Sequence, residues 1–168
     1  MQKKYILFLA ITVPVIILDQ LTKAWILASL RLHEGFSVID GFFNIVHVRN
    51  PGAAFGFLAG VSPGFRSIFF LAVTMAAIVL ILHFLRASRS DQPSQVVSLA
   101  LILAGAGGNL IDRVRFGEVV DFLDVYVGAL HWPAFNVADA AITTGASFLA
   151  LILLAGKKDR AAGEGRQG

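Results

Sequence analysis

Four apolar runs, each close to the roughly 20 residues that cross a hydrocarbon core of about 30 Å, constrain what this 168-residue chain can fold into more than any other feature. They cover about 5–30, 67–85, 96–111 and 137–155. Backbone inside hydrocarbon must satisfy its own hydrogen bonds, so continuous runs of this length read as transmembrane helices. The fold class is therefore a membrane all-α core of four transmembrane helices, in a single integral-membrane domain spanning 1–168. Composition agrees: 57% of residues are hydrophobic and only 15% charged, with mean hydropathy +0.75, far from the balance of a water-soluble domain. The absence of cysteine removes disulfides, thiolate metal sites and thiol nucleophiles. The net charge of +3 is spread over loops and tails. Nucleic acid is excluded as a partner on that ground, and membrane lipids are the expected surroundings.

An even number of spans puts both ends on one side. Lys3, Lys4, Arg86, Arg89, Lys157, Lys158, Arg160 and Arg166 fall on that side, eight of the fourteen basic residues, which makes it cytoplasmic. The connections 31–66 and 112–136 then face outward, and 156–168 is a polar, Gly-rich tail expected to be disordered. A cleavable leader is a poor account of the first run, which is long and carries Asp19 and Lys23. Pro14 is a tolerable kink.

The first outer connection has structure of its own. In "FSVIDGFFNIVHV" the dipeptide Asp40-Gly41 separates two runs rich in β-branched and aromatic residues, the pattern of a β-hairpin. "RNPGAAFGF" after it reads as a loop, with Gly52 and Gly56 at close-packing spacing. Ala100, Ala104 and Gly108 repeat every four residues on the third run, which permits close approach of a neighbouring helix.

Polar residues in or beside a membrane are costly and mark function by default. Here they are Asp19, Lys23, Asn109, Asp112, Arg113, Asp121, Asp124, Asn136 and Asp139, all toward the outer ends of the spans or in the second outer connection. Asp19 and Lys23, four apart, suit a mutually neutralising helix pair. Asp112 and Arg113 suit a helix-end ion pair, Asn109 and Asn136 suit backbone caps, and Asp124 suits an exposed loop carboxylate. Asp121 in "VVDF" and Asp139 in "VADA" sit between apolar neighbours, where a lone carboxylate is expensive.

Two such carboxylates, if they meet, cannot both hold a charge, so one keeps its proton. The pair is then an acid and a base able to activate water against an amide. Rival chemistries are poorly supplied. No HExxH is present, and His33, His47, His83 and His131 lack ligand spacing, so neither a metal nor another cofactor is expected. Ser147 lies deep in the fourth run without a base. A proton or ion pathway through the same carboxylates stays open on these grounds, as does a non-enzymatic membrane scaffold.

Five blocks in order over roughly 5–155 narrow the choice: "ILDQLTK" at 17–23, "RNPGAAFG" at 49–56, "GGNLIDR" at 107–113, "VVDF" at 119–122 and "FNVADA" at 135–140. Together they resemble the motifs of bacterial lipoprotein signal peptidase, signal peptidase II. The resemblance implies an aspartic endopeptidase of the bacterial inner membrane, multi-pass with both termini cytoplasmic. It also implies a small periplasmic β-rich cradle over the site. The implied substrate is a diacylglyceryl-modified prolipoprotein, cut before the lipidated cysteine, and the implied inhibitor is of the globomycin type. A monomer is expected.

On the same resemblance Asp121 and Asp139 are the catalytic pair. Asp19, Lys23, Asn50, Asn109, Asp112, Arg113 and Asn136 are the residues that bind substrate or support the site. Asp124, three residues on, competes with Asp121 as the partner of Asp139; the motif favours the aspartate directly before Phe122. The outer hairpin and the "RNPGAAFGF" loop would clamp the substrate from above.

Overall fold

A computed structural model describes residues 2–52, 60–88 and 92–164. Four long helices form its frame: α1 (Gln2–Ser29), α2 (Pro63–Ala87), α3 (Pro93–Phe116) and α4 (Val137–Glu164). All four are long and apolar enough to cross a membrane. Their outer faces carry exposed Leu9, Ile17, Leu21, Val79, Leu80 and Leu151, an arrangement that suits hydrocarbon and would be a liability in water. Pro63 and Pro93 open α2 and α3, where the missing N–H has no helical partner to lose. Pro14 lies within an unbroken α1.

α3 is the central helix, packed on α1, α2 and α4. Small residues make that possible. A Cβ on Gly105 would run into the carbonyl of Ala138, and one on Gly108 would come within 2.5 Å of Asp19 Oδ2. Ala100 and Ala104 are fully buried, so the four-residue repeat of small side chains is the surface on which its neighbours close. Where the chain begins, Phe8, Ile81, Leu85, Val96, Leu99 and Ala100 form one core cluster. The Lys4 ammonium is buried there too. It donates to the carbonyls of Leu85, Arg86 and Ser88 at 2.9, 3.1 and 2.7 Å, so it caps the C-terminus of α2 rather than standing free in water.

A small antiparallel sheet closes the opposite end. It consists of β1 (Gly35–Ile39), β2 (Phe43–Asn50), β3 (Val119–Val127) and β4 (Leu130–His131), in that order. β1 and β2 make the hairpin that the Asp40-Gly41 turn predicts, with Gly41 in the left-handed region at φ 79. Ile26 of α1, Val120 and Phe122 form a second core cluster beneath the sheet, flanked by Leu30, Ile45 and Val137.

Three boundaries differ from the sequence expectation. α3 runs past 111 to Phe116, where Gly117 ends it in the left-handed conformation with its N–H on Arg113 O at 3.0 Å. Asp112 and Arg113 are thus on the helix, not in a loop over 112–136. The longest strand of the sheet, Val119–Val127, lies inside that same stretch. Its first four residues are all buried, so it shows none of the alternation that marks a half-exposed strand. α4 continues through Glu164, where the expected disordered tail begins at 156; Lys, Arg, Ala and Glu extend a helix readily once it is nucleated. Ala53 to Gly56 of the "RNPGAAFG" block and Arg89 lie outside the described residues, as does Arg166.

Candidate active site at the junction of helices and sheet

The polar residues singled out in the sequence converge where α1, α3, α4 and β3 meet. Asp19 and Lys23 come one turn apart on α1, and both are buried. Lys23 Nζ lies 2.9 Å from Asp19 and 2.9 Å from Asp112 of α3, and donates to Asn109 Oδ1 at 3.0 Å. All three ammonium protons are therefore placed. The pair is more than a local i,i+4 bridge, because each carboxylate also holds backbone. Asp19 accepts the Ala138 N–H at the head of α4 at 2.9 Å, and Asp112 accepts the Val120 N–H of β3 at 3.0 Å. Gln20 completes the set with bonds to Asp19, Asp112 and the Gly108 carbonyl. The sequence reading passed over Gln20, although a polar side chain in "LDQLTK" was the signal available for it.

Asp139 sits in the first turn of α4. Its N–H donates to Asn136 Oδ1 at 2.9 Å, and its own carboxylate accepts the Asn136 N–H at 3.3 Å. That reciprocal exchange is a capping box, built by Asn and Asp three residues apart. Asn109 Nδ2 adds a bond of 2.7 Å to Asp139 Oδ1. Asp121, on β3 opposite Val48, accepts from Asn136 Nδ2 at 2.7 Å and from Asn50 Nδ2 at 2.9 Å. Asn136 thus touches both carboxylates, and it is fully buried. Burial pushes the Asp121 carboxyl up to about 7, and the charge of Asp139 adds to the rise; the bonds from Asn50 and Asn136 and the charge of Lys23 oppose it.

Asp124 is elsewhere. Three positions along a strand reverse the side-chain direction. Asp124 accordingly bonds Asn44 at 2.9 Å and His131 at 2.8 Å. It is 8% exposed, a buried strand residue and not the exposed loop carboxylate expected. Arg113 reaches the Asn109 carbonyl at 3.4 Å and lies over the Phe70 ring. Of the nine residues named for the site, eight share one continuous hydrogen-bonded network, to which Arg113 is joined through that carbonyl.

Each aspartate of the Asn136-linked pair opens to its own cavity. Asp139 lies in one of about 310 Å³ with Trp132, Phe135, Ala140, Thr143 and Thr144. Asp121 lies in one of about 230 Å³ with Arg49, Asn50, Pro51, Pro133 and Ala134. The segment Trp132–Phe135 contributes to both. None of its residues stood out in the sequence, because apolar wall residues carry no chemical signature in a chain that is apolar throughout.

Comparison with known proteins bears on this geometry. Residues 11–155 match the family model described as signal peptidase (SPase) II. The chain is similar to a lipoprotein signal peptidase of Syntrophus aciditrophicus, 54% identical over 160 residues, which span 95% of this chain and 99% of that one. It is also similar to the lipoprotein signal peptidase of Geobacter sulfurreducens, 47% identical over 161 residues, spanning 96% and 99%. A solved structure described as a bacterial membrane enzyme at 2.3 Å resolution superposes with a TM-score of 0.81 at 36% identity, over 90% of each chain. A family match across most of the length, carried on four membrane helices and a small sheet, makes this chain a multi-pass membrane peptidase that belongs to the signal peptidase II family.

Proposed function

We propose that the chain is an aspartic endopeptidase that removes the signal peptide from diacylglyceryl-modified prolipoproteins, cutting before the lipidated cysteine. The observation that carries this reading is the Asn136 bridge. One buried amide holds Asp121 of the sheet and caps Asp139 of α4, so a single residue ties together two carboxylates from different elements, each open to its own cavity. Two such groups share a proton. With the Asp121 carboxyl pushed up to about 7, that proton is held near neutral pH. The ionised member takes a proton from the attacking water. The protonated member donates to the amide oxygen as the tetrahedral intermediate forms; on collapse the member that took the water's proton passes it to the leaving amine, and the other takes its proton back from the hydroxyl.

The surrounding residues hold this pair still. Asn50 and Asn109 each donate to one aspartate, while the Lys23 cluster fixes the helix head and strand that carry them. The two cavities flank the pair, one for each side of the scissile bond. The protein resides in the bacterial inner membrane as a monomer with cytoplasmic termini, and the site lies at the periplasmic face. There the acyl chains of the substrate remain in lipid while water reaches the aspartates. A globomycin-type cyclic peptide would occupy the same cavities.

The test is a gel-shift assay on a purified, diacylglyceryl-modified prolipoprotein, comparing wild type with Asp121→Asn and Asp139→Asn. The expected result is cleavage by wild type and loss of at least a hundredfold in either variant, with folding intact. Full-rate cleavage by both variants would refute the pair. An intact substrate with wild type, together with proton flux into liposomes, would move the assignment to a carrier.

A further inference from the structure

A second polar network, unused by Asp121 and Asp139, holds the wall of the larger cavity. Trp132 and Phe135 line that cavity beside Asp139, and the strand leading into them is only Leu130 and His131. A ladder of two pairs, Tyr126 with His131 and Val127 with Leu130, is too short to hold a connection by itself. Backbone ties to β3 help: Trp132 N–H donates to Val125 O at 2.8 Å, and Phe135 exchanges bonds with Leu123 at 2.8 and 3.0 Å.

The side-chain tie comes from Asp124, which grips both neighbouring strands. It accepts from Asn44 of β2 at 2.9 Å and from His131 Nδ1 of β4 at 2.8 Å. A carboxylate only accepts in this arrangement, so Nδ1 carries the proton. The His131 ring lies flat on Tyr126, with centroids 4.7 Å apart and planes 5° off parallel. The Tyr126 hydroxyl in turn accepts the Gly41 N–H at 3.0 Å in the turn between β1 and β2. A buried carboxylate is thus spent on the residue that directly precedes Trp132. Asp124 is buried while the His131 side chain is half exposed, so the carboxylate is the fixed point from which β4 is held.

We propose that Asp124 and His131 are positioning residues for the substrate. Their bond sets the direction in which the chain leaves β4, and so seats Trp132 and Phe135 as the wall against which residues next to the scissile bond pack. This rests on the aspartate-pair reading, since it makes the cavity beside Asp139 the substrate's.

The chain has two tryptophans, and Trp25 faces outward from α1. A Trp25→Phe background therefore makes Trp132 a sole reporter. In it, His131→Phe keeps a flat ring on Tyr126 without the donor, while His131→Asn keeps a donor near the position of Nδ1 without the ring. His131→Phe is expected to raise KM roughly tenfold with kcat within about twofold, equivalent to about 1.4 kcal/mol of lost binding. It should also increase acrylamide quenching of Trp132 in the absence of substrate. His131→Asn should recover most of both. Wild-type KM and quenching in His131→Phe overturn the proposal, and so does a loss confined to kcat. If His131→Phe does not accumulate, Asp124→Leu, which removes the acceptor itself, must raise KM in the same way, and an unchanged KM there overturns it. Failure of the wild type to cleave sinks the peptidase reading instead, while the quenching comparison still decides whether the bond seats Trp132.

Discussion

Replacing Asp121 by Asn should change stability in opposite directions at the two ends of the pH range. The Asp121 carboxyl is raised from its ordinary 3.8 to about 7, first by burial and then by the charge of Asp139. Below about pH 4 it is protonated in both the folded and the unfolded chain, and no penalty arises. Between about 4 and 7 the unfolded chain releases the proton while the folded one keeps it, so wild-type stability falls as pH rises. At about 1.4 kcal/mol per pH unit the loss reaches about 4 kcal/mol above pH 7. Asn has no such titration. It does turn an amide N–H₂ toward donors from Asn50 and Asn136, a mismatch costing about 1–3 kcal/mol at every pH. The variant should therefore be the less stable protein at pH 4 and the more stable at pH 8. SDS titration of detergent-solubilised protein at the two pH values, followed by circular dichroism, measures the gap. A gap that does not change with pH would refute the reasoning, since it would mean that Asp121 carries its charge without cost. The same proton predicts activity falling on the alkaline side of about 7, as an apparent value belonging to the pair.

Other substitutions probe the scaffold. Lys23→Met leaves Asp19 and Asp112 buried without their cation and should cost about 3–5 kcal/mol; the triple change with Asp19→Asn and Asp112→Asn should recover most of it in the same SDS titration. Asn136→Ala removes the Nδ2 bond to the Asp121 carboxylate and the Oδ1 acceptor for the Asp139 N–H and should lower kcat on the order of a hundredfold, as a displacement of about 1 Å can, with KM little changed in the gel-shift assay. Lys4→Met removes three bonds to the end of α2 and should lower the unfolding free energy by about 1–3 kcal/mol while cleavage at saturating substrate persists.

What could be read in advance followed from what each residue costs in a membrane. Asp19, Lys23, Asn109, Asp112, Asn136 and Asp139 were visible because hydrocarbon makes every polar group conspicuous. All of them prove to be mutually bonded. The hairpin was visible because Asp40-Gly41 is a turn that few other dipeptides make so readily. β3 was not, since Val119 to Phe122 are buried on both faces and an apolar run without alternation has no period to detect. The end of α3 differs from expectation for a related reason: hydropathy alone ends the span at 111, whereas Asp112, Arg113 and Arg115 are helical and bonded or stacked within the protein.

The position of the site also follows from these costs. A carboxylate deep in the bundle would need a permanent cation, and Asp19 and Asp112 have one in Lys23. Among the described residues, the direct partners of the Asp121 and Asp139 carboxylates are neutral amides, from Asn50, Asn109 and Asn136. Amide donors orient a carboxylate without locking its protonation state, which is what acid-base work requires. The structure thus sorts its buried acids into two kinds within a few residues of each other. Those neutralised by Lys23 tie α1, α3, α4 and β3 together, and those held by asparagines stand at the edge of that tie, facing the cavities. Exchanging the roles should fail in a specific way. Asn109→Lys would place a second cation beside Asp139, and the protein should fold with its aspartate pair held ionised. Such a variant should bind lipidated substrate, measured by its co-elution in detergent, yet cut at least about a hundredfold more slowly because no proton remains to be shared. Near-normal cleavage by Asn109→Lys would show that the neutrality of the partners is incidental.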